Sequence, residues 1–533
     1  MKKEKSFIKA GVILVVSGFL VKMLGAVYRI PLTRMLGAAQ MGRYSAVFSL
    51  FMPFFSIATA GIVPCVSHYT SKTDKEDFGA VKGAAYRLYI FQAAVMALCF
   101  VLVGWVYSRL QGDSIFFRGS VILAPAVIFA AAENICKGIT QGRMDMLPTA
   151  TANVVESVLK TVLGLAGVYL AAKTAGNSGD MPVSAGFMAV TAAGFICCIY
   201  LLILTSDKSR EHKKYDKGLR TDKMEKQSRT LMANLVKMSF PIAVSALVIS
   251  LSGFFDTAVC IPRIAEIPYK DIVKSFRGAS FKNAGDMPMY LLGIYQGMVL
   301  SVFNLLPAVL SYMGAASLPV ISRGISSGNK GYTSVQTHRL FTVTAGISVP
   351  ATVYIRMYSH DILRFLFGTN GAQTLVSAEL LNILLWSGVF CCFTAVLNSV
   401  LYACGRSVTV FRILSAASAV KCAISYLLCG VPQINIRAFA VSAVVFHTII
   451  FILSVHCINR QGIKFRSIKI FLMPCAATAV SAAAVKFIDS AALCWLPLFL
   501  KLGFSGLIYT LVYILIAIIT GFLLISPSEN SNI

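Results

Sequence analysis

The sequence predicts an all-α polytopic membrane protein with about fourteen transmembrane helices, arranged as two six-helix lobes around a central cavity plus two C-terminal helices. Three observations predict this class. The chain of 533 residues is 57% hydrophobic and only 13% charged, whereas a soluble globular chain is about 25% charged. Apolar segments of about 20 residues, the length that crosses a bilayer as a helix, recur along the whole chain. Short motifs also recur in the same order in its two halves.

The apolar segments place the individual spans. The first span follows a basic N-terminus, as the core of a signal peptide would, but it lacks a small-residue cleavage site, so we expect it to be retained. The eighth span is long enough to contain a break at Pro307. The predicted spans are 8–28, 44–66, 85–106, 120–140, 149–171, 184–204, 235–260, 290–320, 339–357, 377–402, 409–429, 438–457, 469–487 and 502–525.

A basic segment between the sixth and seventh spans sets the predicted domain organisation. Residues 206–229 contain nine Lys and Arg residues, and basic loops favour the cytoplasmic side of a membrane. We therefore expect both termini to be cytoplasmic, although the loop 262–287 is basic on the predicted outside. The predicted domains are an N-lobe at 1–205, a cytoplasmic linker at 206–233, a C-lobe at 234–458 and two C-terminal helices within 459–533.

Four short sequence matches relate the two predicted lobes. Equivalent spans are an even number apart, so both lobes are predicted to have the same orientation, as in transporters whose halves move about a central site. The matched pairs are GIVPCVS at 61–67 with ASLPVIS at 316–322, TQGR at 140–143 with ACGR at 403–406, Lys160 with Lys421, and the openings of the first and seventh spans.

Basic side chains inside the predicted spans are the candidate substrate-binding residues. A charge at bilayer depth costs about 2.5 kcal/mol or more, so it usually faces a cavity or a partner. Lys22 lies about 20 Å along the first span, too deep to reach the headgroups easily. Residues near a span end, such as Arg34, can instead extend to the headgroups. The candidates are Lys22, Arg29, Arg34, Lys160 and Lys421.

Three acidic residues in the spans are candidate charge partners or ion-coupling groups. Glu156 lies four residues before Lys160, a spacing that allows an ion pair on one helix face. Asp256 either pairs with Arg263 or binds a proton or sodium ion. Lys421 has no acid nearby in its own span, and Glu133, near the end of the fourth span, is a candidate partner for it.

Other features of the sequence indicate structure rather than chemistry. The 14 cysteines show no metal-ligand spacing and are read as small buried hydrophobic residues. The net charge of +26 fits loops and anionic lipids, not nucleic acid. We expect no metal, no cofactor and no catalytic residue. The candidate hinges are Pro64, Pro148, Pro307 and Pro319.

A membrane cavity with several cations and few acids suits an anionic ligand, because Lys binds phosphate as a point charge and Arg as a bidentate donor. Its lipid-like walls also suit an apolar tail. An amphiphile with an anionic head, such as a lipid-linked pyrophosphate, meets both demands. Anionic drugs, fatty acids and nucleotides meet the charge requirement as well.

Several motifs resemble the MOP superfamily of multidrug, oligosaccharidyl-lipid and polysaccharide exporters, in particular the polysaccharide transporter branch that includes stage V sporulation proteins and lipid II flippases. The resemblance covers nearly the whole chain. Asn153 stands where this branch more often has Gln, and Lys160 stands where it often has Arg. These two differences concern the identity of the glycan cargo and not the fold. The most specific motifs are SFIKAGVILVVSGFLVKMLGAVYRIPLTRMLG at 6–37, KGITQGRMDMLPTATANVVESVLKTVLGL at 137–165 and LLGIYQGMVLSVFNLLPAVLSYMGAASLPVIS at 291–322.

The resemblance implies a V-shaped, alternating-access transporter of the bacterial plasma membrane, in which basic residues of the first span, here Lys22 and Arg29, receive a lipid pyrophosphate. The leading expectation is a flippase for an undecaprenyl-type lipid-linked sugar or peptidoglycan precursor, and not an enzyme. A cation-coupled drug exporter would need an acidic cavity, and a membrane-embedded glycosyltransferase would need catalytic acids or His in an outer loop. The expected partners are the lipid-linked substrate, membrane lipids and cell-wall synthesis enzymes, with a monomer as the default state.

Overall fold

The structure is a computed structural model that describes residues 2–73, 78–175, 179–210, 222–276, 286–369, 371–463, 467–490 and 495–520. Within these ranges every regular element is a helix, which confirms the all-α class. The α-helices are α1 Lys2–Thr59, α2 Ile62–Lys72, α3 Phe78–Gln111, α4 Ile115–Gly142, α5 Leu147–Ala175, α6 Met181–Arg210, α7 Asp222–Phe255, α8 Ile261–Ala265, α9 Tyr269–Ser275, α10 Met287–Gly293, α11 Leu300–Phe303, α12 Leu305–Ser326, α13 Lys330–Met357, α14 Ser359–Phe367, α15 Ala372–Leu384, α16 Gly388–Ala403, α17 Ser407–Cys429, α18 Arg437–Arg460, α19 Ser467–Ile488 and α20 Leu498–Ile519.

The number of membrane-spanning helices agrees closely with the prediction. Among the described residues, 12 helices are long and apolar enough to cross a membrane, or 13 when one bent pair counts as a single span. The first two predicted spans fall on one run, Val16–Lys72, whose 57 residues suffice for two crossings of about 20 residues each. The count of fourteen is therefore approximate, and its excess arises where two spans share one kinked helix.

The kink in α1 lies at Gly37, whose backbone angles are φ 73° and ψ 172°. Only glycine adopts this region readily, because a Cβ would clash with the backbone there. Tyr28 and Tyr44 show how sharply the chain turns, since their hydroxyl oxygens are 3.2 Å apart. In a straight helix, 16 residues would separate them by about 24 Å.

Three of the predicted hinge prolines lie in the first turn of a helix that follows a break. Pro64 follows Gly61, Pro148 begins α5, and Pro307 follows the break at Asn304. The first turn leaves its N–H groups unpaired in any case, so proline is tolerated there. The break expected at Pro307 therefore lies three residues earlier, with a bend of 45°. Pro319 lies within α12, and its side chain is outside the described residues.

The Cα positions divide the chain into two compact units. The first comprises Met1–Pro262 and Pro288–Gly293, and the second comprises Arg263–Met287 and Ile294–Ile533. The first unit packs α1 to α7 around a core that includes Tyr44, and the core of the second unit joins helices from α12 to α19. The predicted domain boundaries at 205 and 233 stay a prediction.

The C-terminal helix α20 contacts α13 at the place where Pro350 interrupts the backbone hydrogen bonds of α13. Pro350 lies inside α13 and has no N–H to donate to the carbonyl of Gly346. The Tyr513 hydroxyl donates to that carbonyl oxygen at 2.8 Å, and the Tyr509 hydroxyl donates to the Pro350 carbonyl at 2.9 Å. In an apolar environment every backbone polar group needs a partner. Tyr513 of α20 therefore supplies the hydrogen bond that Pro350 cannot donate to the Gly346 carbonyl.

We predict that Gly37→Ala lowers the free energy of unfolding by about 1–3 kcal/mol, because a Cβ is strained at this φ and ψ. Thermal unfolding of the purified protein in detergent measures the effect. Gly25→Ala is the matched control, since a Cβ at Gly25 meets no atom within 4 Å and its φ is ordinary. Equal melting temperatures for the two variants would contradict the assignment of the kink to Gly37.

We also predict that Tyr513→Phe destabilises the second unit by about 1–3 kcal/mol, the cost of leaving a buried carbonyl unpaired. The same melting experiment applies, with Tyr402→Phe as the control because Tyr402 is 48% exposed. A Tyr513→Phe variant as stable as the control would show that the carbonyl of Gly346 needs no donor.

Candidate binding site

The candidate site lies in the first unit, where α1 folds back at Gly37. Tyr44 stacks on Phe187 with ring centroids 5.1 Å apart and an interplanar angle of 7°, and it also contacts Phe48 at 4.8 Å. Tyr28 packs against Gly164 of α5, where a Cβ would lie only 2.6 Å from its ring. Glycine at 164 therefore lets α5 approach the two tyrosines closely.

Lys160 points at this aromatic cluster. Its Nζ atom is 6.0 Å from the centroid of the Tyr28 ring and 5.7 Å from that of Phe48. Aromatic faces attract cations, and the attraction strengthens away from water. Lys160 lies four residues before Gly164, so both face the same side of α5. The rings thus stabilise an ammonium group that the membrane interior would otherwise disfavour.

Arg29 brings a second cation to the same place. Its Nε atom is buried, and the guanidinium interacts electrostatically with Tyr28, Tyr44 and Lys160. The backbone carbonyl of Arg29 accepts a hydrogen bond from the Thr33 hydroxyl at 2.8 Å. Two like charges are therefore held near one another beside aromatic rings, which is an arrangement suited to a ligand with more than one negative charge.

A buried ion-pair cluster adjoins these cations. Lys137 Nζ is 2.9 Å from Glu133 Oε2 on the same helix and 3.7 Å from Glu156 Oε2 on α5. Only 9% of the Lys137 side chain and 3% of the Glu133 side chain are exposed, against 41% for Glu156. We name Glu133, Lys137 and Glu156 the carboxylate–lysine cluster.

The cluster differs from the predicted pairing of Glu156 with Lys160. Glu156 forms its ion pair with Lys137, and Lys160 contacts aromatic rings instead. Sequence reasoning missed Lys137, although its spacing of four from Glu133 in a predicted span is a usable signal. Arg29, Lys160 and Lys137 supply three positive charges against the two carboxylates, so the site as a whole is cationic.

The cluster does not fit a resident metal ion. Oxygen atoms of Glu133 and Glu156 and the sulfur of Cys197 lie within 4.8 Å of one another. The ammonium group of Lys137 contacts both carboxylates, however, and its charge repels a second cation.

The remaining candidates differ in how exposed they are and in which unit they lie. Lys22 is exposed on α1, beside a hydrogen bond of 3.4 Å from Ser157 Oγ to the Val21 carbonyl. Arg34 is also exposed, and Asp256 is buried in a π-helical turn that follows α7. Lys421 lies in the second unit on α17, where it interacts electrostatically with His447.

The repeat places Lys160 and Lys421 on corresponding helices. The TQGR motif ends α4 and begins the turn before α5, and the ACGR motif does the same between α16 and α17. Each lysine then follows about 13 or 14 residues into its helix, near the middle of a span of about 20 residues. Each unit therefore carries one mid-span lysine in the equivalent element.

Sequence comparison assigns the chain to a family and identifies two relatives that cover most of its length. The model of the family described as polysaccharide biosynthesis protein matches residues 7–325, more than half of the chain, and that of the MatE family matches residues 296–427. Stage V sporulation protein B of Bacillus subtilis is 22% identical over 451 residues, covering 83% of this chain and 81% of that protein. Lipid II flippase MurJ of Bacillus subtilis is 23% identical over 396 residues, covering 70% and 68%.

Structural comparison gives the same fold. A solved structure of lipid II flippase MurJ in an inward closed conformation matches with a TM-score of 0.69 and 14% identity, covering 97% of this chain and 100% of that one. The related proteins are named as flippases and transporters, not as enzymes. The chain is a multi-pass membrane protein that belongs to the family described as polysaccharide biosynthesis protein.

Proposed function

We propose that this protein flips an anionic lipid-linked sugar, an undecaprenyl-pyrophosphate-type oligosaccharide or a peptidoglycan precursor such as lipid II, across the bacterial plasma membrane. The observation that carries the proposal is the pair Arg29 and Lys160, held beside the Tyr28 and Phe48 rings inside a membrane-embedded unit. A pyrophosphate headgroup carries several negative charges, which the two cations attract.

The two cations have different roles in this proposal. The guanidinium of Arg29 offers paired N–H donors that match phosphate oxygens, and Lys160 acts as a point charge. Lys22 lies two turns before Arg29 on the same helix face, so it meets the headgroup on entry. Arg34, exposed beyond the site, serves the lipid headgroup region.

The transport cycle follows from the two-lobe organisation, with lobes at 1–205 and 234–458. The headgroup enters an inward-open cavity while the isoprenoid tail stays in lipid, the lobes change access, and the headgroup leaves outward. Lys421 contributes from the second unit as the counterpart of Lys160. A membrane potential contributes about 2.3 kcal/mol per charge per 100 mV to such a movement.

Orientation and partners complete the proposal. Both termini are cytoplasmic, as the basic segment 206–229 favours. The protein acts as a monomer and supplies its lipid to cell-wall synthesis enzymes, in vegetative growth or in sporulation. Pro64, Pro148, Pro307 and Pro319 mark the segments that bend between the two states, since three of them follow breaks in the helices.

A cation-coupled drug exporter is the second candidate, favoured by the buried acid Glu133 in the first unit. Such a protein needs uncompensated carboxylates to bind a cationic drug. Lys137 contacts both Glu133 and Glu156, and together with Arg29 and Lys160 it gives three positive charges against two carboxylates, which favours an anionic ligand instead.

We predict that Arg29→Ala and Lys22→Ala each weaken binding of lipid II by about tenfold or more, since a charge-assisted hydrogen bond contributes about 1.5–3 kcal/mol. Binding to the purified protein is measured in detergent by microscale thermophoresis. Lys160→Ala should show the same loss, and Lys160→Arg should retain most of the affinity.

Arg118→Ala is the matched control for these variants. Arg118 belongs to the same unit, its side chain is 60% exposed, and it pairs with Asp180 at 3.5 Å. We expect this variant to bind lipid II as the unmodified protein does. Absence of binding in all proteins, or equal binding by Arg29→Ala and Arg118→Ala, would contradict the headgroup role, and tighter binding of cationic drugs would favour the exporter.

A further inference from the structure

The carboxylate–lysine cluster contains a buried oxygen atom without a hydrogen-bond partner among the described residues. Glu133 Oε2 accepts from Lys137, but Glu133 Oε1 is inaccessible to solvent and has no donor. An unpaired buried carboxylate oxygen is costly, because it has lost its water and gained nothing in exchange. Binding of a proton removes this cost directly.

The charges of the cluster favour the same conclusion. Glu133 and Glu156 carry two negative charges when ionised, and Lys137 carries one positive charge, so the cluster is left with one net negative charge. Two carboxylates held near each other in a low dielectric do not both ionise easily. Binding of one proton to a carboxylate oxygen makes the cluster neutral and requires no additional cavity.

Charged and titratable groups interact with Glu133 from its own helix and from α5 and α6. Lys137 lies on the same helix, Glu156 on α5, and Cys197 and Cys198 on α6. On α3, the Tyr86 hydroxyl contacts Cys136 Sγ at 3.1 Å, and Cys136 lies about one turn along α4 from Glu133. The acidic groups that compete for the proton are therefore the two carboxyl groups.

Glu156 connects this cluster to the headgroup site. It forms the ion pair with Lys137 and also interacts electrostatically with Lys160, one helical turn along α5. Neutralising a carboxyl group here raises the positive field at Lys160. An anion beside Arg29 and Lys160 and a proton on the cluster should therefore favour each other.

We propose that Glu133 and Glu156 share one exchangeable proton and that this proton is bound together with the anionic headgroup. The linkage to headgroup binding rests on the proposed function, whereas the proton site itself does not depend on it. The proton comes from water and is returned to water, and no covalent bond other than O–H changes. Linkage is reciprocal, so acid strengthens headgroup binding and headgroup binding takes up a proton.

The proton site is tested without any ligand, by infrared difference spectroscopy of the full-length protein in lipid vesicles during a pH titration. We expect a band of a protonated, buried carboxyl group that titrates in the unmodified protein and is lost in Glu133→Gln. Glu379→Gln is the matched control, because Glu379 is half-exposed and ion-paired with Arg437 in the second unit. This control should retain the band.

Two results would overturn the proton site. One is the absence of a titrating buried carboxyl group in the unmodified protein, which does not depend on how well any variant folds. The other is a titration that moves when sodium replaces choline in the buffer, because the cluster would then bind a metal cation and not only a proton.

The linkage is tested by calorimetry of undecaprenyl pyrophosphate binding in buffers with different heats of ionisation. We expect uptake of up to one proton by the unmodified protein, none by Glu133→Gln, and an affinity that rises about 5- to 150-fold from alkaline to acid pH. Binding without proton uptake overturns the linkage alone. A protein whose carboxyl band titrates but that binds no pyrophosphate lipid keeps the proton site and loses both the linkage and the proposed headgroup function.

Discussion

The cost of holding charge inside a bilayer constrains the first unit more than any other interaction. Three of its cations belong to the candidate site, and the chain compensates each in a different way. Lys137 contacts two carboxylates, Lys160 lies over two aromatic rings, and Arg29 interacts with two tyrosines. Only the carboxylates neutralise charge outright. The aromatic rings lower the free-energy cost of burying Lys160 without neutralising its charge. Lys160 can therefore bind an anionic ligand, whereas Lys137 forms structural ion pairs.

The kink at Gly37 makes the arrangement possible. Tyr28 and Arg29 precede it, and Tyr44 and Phe48 follow it, so one helix contributes both sides of the aromatic cluster. Close approach of α5 at Gly164 then brings Lys160 to the rings. In the second unit, side chains also satisfy backbone groups that would otherwise be unpaired. Where Pro350 removes a donor from α13, tyrosine hydroxyls of α20 supply it, so the C-terminal helices are part of the packing of the second unit.

Hydrophobic length predicted most of the fold because nearly every apolar segment of about 20 residues has only one way to satisfy its backbone in lipid. It could not show that the first two spans share one helix run, since composition does not report the direction of the chain at Gly37. It placed Lys160 and Glu133 inside spans and Arg29 just past the end of the first span, yet assigned Glu156 to Lys160. Partners on different helices depend on how α4 rotates against α5, and spacing along one helix carries no information on that rotation.

Location of a bound headgroup tests the central claim most directly. An experimental structure of the protein with undecaprenyl pyrophosphate, determined by electron cryomicroscopy, would show where the phosphates lie. We predict density for the phosphates within hydrogen-bonding distance of both the Arg29 guanidinium and the Lys160 ammonium. Phosphates bound by other residues, with Arg29 and Lys160 still in contact only with the tyrosine and phenylalanine rings, would contradict it.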